Sequence, residues 1–124
     1  MSPLAKLLRE IRQEFGLSQL KFAETLDLKG PQVSYMEAGK RYAPTLPKLE
    51  AAKLWLRLSA RQRDMIISAD RTSPKLIKIP ANAHEGAFIF AAAIQEDFRC
   101  LEGEDFFKLA DYVRSLANSR QNLQ

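Results

Sequence analysis

Residues 17–44, LSQLKFAETLDLKGPQVSYMEAGKRYAP, constrain the fold more than any other part of the chain. They hold two helical patterns separated by a turn of three to four residues, each too short to be stable alone in water, so both require a shared core. Ser18 is suited to cap the first, with Phe22, Ala23 and Leu26 on its inward face. Asp27 falls in the turn, where left-handed backbone is expected and aspartate tolerates it better than most residues. The second pattern begins after Gly30 with Pro31 at its first position, buries Val33, Met36 and part of Tyr35, and stops at Gly39. Polar and basic side chains gather on and around this second helix.

The flanking sequence supplies the shared core. Ser2 followed by Pro3 marks a helix start, because serine caps and the N–H that proline lacks would be unpaired there anyway. Leu4, Leu7, Leu8, Ile11 and Phe15 recur at helical spacing with Lys6, Arg9, Arg12 and Gln13 outward, and Gly16 is placed as a left-handed stop. Thr45 is suited to cap a helix from about Leu46 to Leu56, with Leu46, Leu49, Ala52 or the stem of Lys53, and Leu56 as its stripe. Ser59 is suited to cap another, with Met65, Ile66 and Ala69 inward. Trp55 lies within an apolar helical pattern, which favours a core role over base stacking. The expected architecture is all-α, with a five-helix domain over residues 1–70.

Residues 71–83 change character, with Pro74 and Pro80 bracketing Lys-Leu-Ile-Lys-Ile; this predicts a linker or short extended segment. A helical hairpin is expected over 84–120, with helices from about 85 to 99 and 104 to 119 separated by Gly103, then a tail at 121–124. Its first helix is apolar nearly all round, and the hairpin carries five of the seven phenylalanines. One helix pair cannot hide that much apolar surface, so another protein surface must cover it. Two copies forming a four-helix arrangement would do so, with Phe88, Phe90, Ile94, Phe98, Phe106, Phe107, Val113 and Leu116 as the expected dimerisation residues. A hairpin folded back on the N-terminal domain is the alternative.

The net charge of +4 is unevenly divided. Residues 1–78 hold 15 Lys and Arg against 8 Asp and Glu, a net of +7, whereas residues 79–124 hold 4 against 7, a net of −3. The basic part suits a polyanion, since neutralised phosphates release counterions. The longest apolar run, Ala87–Ile94, is too short to span a bilayer, and no secretion signal is visible, so no membrane association and a cytoplasmic location are expected.

One cysteine, Cys100, and one histidine, His84, furnish neither a disulfide framework nor a conventional thiolate-imidazole metal site. Cys100 reads as a semi-buried thiol in the hairpin connection and His84 as a loop or cap residue. With no carboxylate pair, nucleophile-base set or phosphate loop, the chain reads as a non-enzyme without a cofactor or metal.

Over about residues 4–58 the chain resembles the lambda-repressor/Cro-like helix-turn-helix family, also called the XRE family. The resemblance rests on Leu17-Ser18-Gln19, Phe22-Ala23, Leu26 and Leu28 around the turn, then Val33-Ser34, Glu37, Gly39, Lys40 and Pro44. Glu37, near a helix C-terminus where the dipole disfavours a carboxylate, calls for a partner such as Arg9 or Arg12. The resemblance implies double-stranded DNA as partner, with Lys29, Gly30, Pro31, Gln32 and Tyr35 at the base-reading positions. It further implies Gln19 at a phosphate, and Lys40, Arg41 and Tyr42 holding the backbone on the other side. Gly30-Pro31 replaces the polar pair that often opens the reading helix, so direct readout rests on few residues and DNA shape contributes more; Asp27 also replaces the common turn glycine. The hairpin has a looser, architectural similarity to the oligomerisation hairpins of SinR-type repressors.

The expected function is that of a sequence-specific transcriptional regulator, a repressor binding an inverted repeat as a homodimer. The resemblance implies a phage or mobile-element setting. The rival reading is an antitoxin or partner-binding regulator whose hairpin chiefly binds another protein, such as a toxin or antirepressor.

Overall fold

The computed structural model describes residues 1–122, and among these all regular structure is helical. The chain divides into two compact units, one from Met1 to Ile77 and one beginning at Lys78.

The first unit contains α1 (Pro3–Glu14), α2 (Gln19–Thr25), α3 (Gly30–Glu37), α4 (Leu46–Ala51), α5 (Lys53–Arg57) and α6 (Ala60–Arg71). Helix α1 starts as its sequence dictates, with the Ser2 hydroxyl accepting from the Ala5 N–H at 3.2 Å and proline in the first turn. Leu8, Phe22, Val33 and Ile66 are completely buried, with Leu4, Ile11, Leu26, Met36, Leu49 and Leu54 nearly so. Full burial of each large apolar side chain contributes about 1.5–3 kcal/mol. Leu7, Phe15, Leu17, Leu28 and Trp55 close the rim of this core.

Helices α1, α2 and α3 end in the same way. The residue after each C-cap, Gly16, Asp27 and Gly39, has φ of 64°, 55° and 75°. The next N–H reaches back to the third carbonyl from the helix end: Leu17 to Arg12 at 3.1 Å, Leu28 to Ala23 at 2.9 Å and Lys40 to Tyr35 at 2.8 Å. Each is a Schellman stop that satisfies otherwise orphaned carbonyls. Asp27 thus occupies the left-handed turn position expected for it.

Several expectations for the first unit are corrected. The helix expected over 46–56 is two helices, because Ala52 is extended at φ −80°, ψ 155°. The break resets the register, burying Leu54 and leaving Leu56 82% exposed instead of on the inward stripe. Thr45 stands at the N-cap of α4 but its side chain makes no capping bond. In α6, Ile66 takes the core position and Met65 points to solvent. The unit also runs on past α6. The Ser73 hydroxyl accepts from the Leu4 N–H at 3.0 Å and donates to the Ala69 carbonyl at 2.7 Å, so residues expected in a linker tie the end of α6 to the start of α1.

The second unit contains α7 (Glu85–Asp97), a 3-10 turn (Phe98–Cys100) and α8 (Gly103–Gln121). His84 is the N-cap of α7, its Nδ1 accepting from the Gly86 N–H at 2.8 Å. Gly103 opens α8 instead of standing between the helices, and Cys100 is exposed, not semi-buried. The Phe98 and Phe106 rings meet across the connection with centroids 5.0 Å apart. No described residue of this unit is buried.

Candidate nucleic-acid interface

Helix α3 is eight residues long and owes its position to contacts on its inward side. Val33 and Met36 are buried against the core, and Ala23, with no side chain beyond Cβ, lets α2 come close. The third attachment is polar. Glu37 Oε1 accepts from Arg12 Nε at 2.6 Å, and its other oxygen accepts from Arg12 Nη2 at 3.4 Å and from the Gln19 side-chain amide. Arg12 Nη1 donates onward to the Leu17 carbonyl at 2.9 Å. One carboxylate therefore joins α1, α2, α3 and the turn between the first two. The partner expected for Glu37 is Arg12, and Gln19, expected at a phosphate, gives its amide to this network.

The outward side of α3 makes few contacts within the protein. Lys29, Pro31 and Tyr35 are exposed, while Gly30 and Gln32 are half-buried. Tyr35 is 51% exposed, so about half of its surface remains open to solvent. Gln32 also serves the helix itself, because its Oε1 accepts from the Lys29 N–H at 3.0 Å and closes the first turn. Its side-chain NH2 remains free to donate.

Beyond the Schellman stop at Gly39, Lys40, Arg41 and Tyr42 are all exposed. Arg41, Tyr42, Lys48 and Lys75 line one shallow surface depression with Leu28 and Thr45. Lys75 Nζ lies 4.7 Å from the Tyr42 ring centroid, close enough for cation–π attraction. Nothing in the sequence singles out Lys48 or Lys75. Lys48 lacks a motif of its own, and Lys75 reaches Tyr42 only through the Ser73 tie that returns the chain to α1. The depression thus gathers three cations around an aromatic ring, a surface that suits phosphates better than a neutral ligand.

Trp55 is half-buried against the core, and its carbonyl accepts from Arg63 Nε at 3.0 Å and Nη2 at 2.7 Å. The guanidinium covers the ring at 5.4 Å, so this tryptophan is packed and capped and offers no open face for a base. Among the described residues, no three His, Cys, Asp or Glu side chains gather where they could hold a metal ion.

In the second unit, Phe88, Phe90, Phe98, Phe107, Val113 and Leu116 are exposed, with Ile94 and Phe106 half-buried. Ile89, Leu109 and Tyr112 add to this apolar surface, beyond the residues expected from sequence. No helix among the described residues is long and apolar enough to cross a membrane.

The helix-turn-helix family model matches residues 8–52, from within α1 to the break after α4. No curated protein and no solved structure matches the chain.

Proposed function

We propose, for a chain whose residues 8–52 match the helix-turn-helix family model, that it is a sequence-specific transcriptional regulator of the lambda-repressor/Cro-like kind acting on double-stranded DNA. The observation that carries this is the two-sidedness of α3. Glu37, Val33 and Met36 hold its inward side, while exposed Lys29 and Tyr35 and half-buried Gln32, whose NH2 is uncommitted, lie on the other. Gln32 and Tyr35 are suited to base edges, and Lys40, Arg41 and Tyr42 to the backbone, joined by Lys48 and Lys75. With DNA as the ligand, the chromosome-bearing cytoplasm is its compartment.

The finer reading is repression by a homodimer on an inverted repeat. Its support is a second unit with exposed phenylalanines and no buried residue among those described, which needs a partner surface to exclude water. A second copy supplies that surface by symmetry and brings a second recognition helix. Selection of bound sequences from random DNA by the full chain, with sedimentation of the free protein, tests both levels. Enrichment of a palindrome with half-sites about 10–10.5 bp apart, or a multiple of that, by a dimer supports the reading. Failure to enrich any sequence would sink it. The same exposed surface motivates the second reading, an antitoxin or other partner-binding regulator; a chain that stays monomeric or aggregates until a different protein joins it favours that one.

A further inference from the structure

Gly30, the first residue of α3, lacks a side chain at a position from which the reading helix would ordinarily offer one to the groove. The space is occupied. A Cβ at Gly30 would lie 2.9 Å from Leu20 Cδ1, closer than atoms in contact approach. Leu20, the second residue of α2, therefore places a methyl group tightly against the point where a side chain of residue 30 would begin, and yet it remains 61% exposed. A solitary exposed leucine is ordinary. This one is distinguished by the glycine that admits it to the start of α3 and by exposed Pro31 beside that glycine.

The polar groups nearby are equally one-sided. Recognising adenine through two bonds requires a glutamine carbonyl to accept from the base and its amide to donate. The Gln32 carbonyl already accepts from the Lys29 N–H at 3.0 Å, which engages that oxygen in the helix start and leaves the NH2 as the uncommitted end of the side chain. An apolar surface next to a donor matches the major-groove edge of thymine, which presents a C5-methyl group and the O4 acceptor. We infer that Leu20, seated in the gap left by Gly30, is a specificity-determining residue that reads a thymine methyl group, with Gln32 donating to an acceptor beside it. The inference rests on α3 being the helix that enters the groove.

The test uses the full chain and the DNA sequence it selects, with each thymine replaced in turn by deoxyuridine, which removes only the methyl. One thymine per half-site is expected to lose about fourfold in affinity on replacement, the weight of one methyl-sized group leaving an apolar contact. In Leu20→Ala the same replacement should change affinity by less than about 1.5-fold, while binding to unrelated DNA stays as in the wild type. Gly30→Ala, whose new methyl forces Leu20 aside, should also blunt the deoxyuridine effect. Because Leu20 is exposed, both variants are expected to keep the wild-type melting profile. Equal sensitivity in wild type and Leu20→Ala, or no sensitive thymine at all, overturns the inference and leaves the DNA-binding reading intact. If, in addition, Gln32→Ala and Arg41→Ala bind every sequence as the wild type does, α3 is not the reading helix and both fail.

Discussion

Glu37 stands in the last turn of α3, where the helix dipole opposes a carboxylate, and only 6% of its side chain is exposed. The Arg12 guanidinium and the Gln19 amide make that position tenable. Glu37→Ala would strand an arginine side chain that is itself only 16% exposed, and is expected to cost about 2–3 kcal/mol in urea denaturation. A loss below about 0.5 kcal/mol would show that the network is incidental to the fold. Asp27 offers a second residue-scale test, since its φ of 55° is left-handed. Asp27→Val should destabilise by about 1–2 kcal/mol and Asp27→Gly should not, as read by thermal melting. Both residues are visible in the sequence because the cause is local: a carboxylate near a helix end, and a polar residue at a turn. The Leu20–Gly30 contact is not, since a glycine in sequence does not say which side chain fills its space.

At the scale of elements, the starts and stops of α1 to α3 are legible from Ser2-Pro3, Gly16, Ser18, Asp27 and Gly39, each of which acts through its own backbone or its nearest neighbours. The division of α4 from α5 is not. No glycine or proline marks Ala52, and the break shows only in the register, with Leu54 buried in place of Leu56. The same limit hides the Ser73 tie, which spans 69 residues of sequence. The two groups of residues at the interface predict two kinds of defect. Gln32→Ala should relax sequence preference, and should also loosen the first turn of α3 because it removes the acceptor for the Lys29 N–H. Arg41→Ala should weaken all sequences about equally and reduce the slope of log affinity against log salt by about 1. Titrations of matched and mismatched DNA at several salt concentrations separate the two patterns.

The whole molecule joins a unit with a well-filled core to one in which no described residue is buried. The apolar excess of the second unit is readable from its phenylalanines, whereas the identity of what covers them lies in no single chain's sequence. Phe107, 75% exposed, gives the direct test. On the proposed homodimer reading, Phe107→Glu should convert a dimer to a monomer in sedimentation with its helical content kept, and lower affinity for a two-half-site operator by about 10²-fold or more as linked binding is lost. A variant that remains dimeric would exclude this part of α8 from the contact. Within the first unit, the attachments of α3 lie on the side away from the face proposed to read DNA, with one exception. Pro31, Tyr35 and Leu20 are exposed side chains with no hydrogen bond to the frame, whereas Gln32 is tied to the helix start. Retargeting this protein to a new operator, by selection or by design, should therefore proceed through positions 20, 31 and 35, with glutamine at 32 persisting as the constant letter in an otherwise rewritable code.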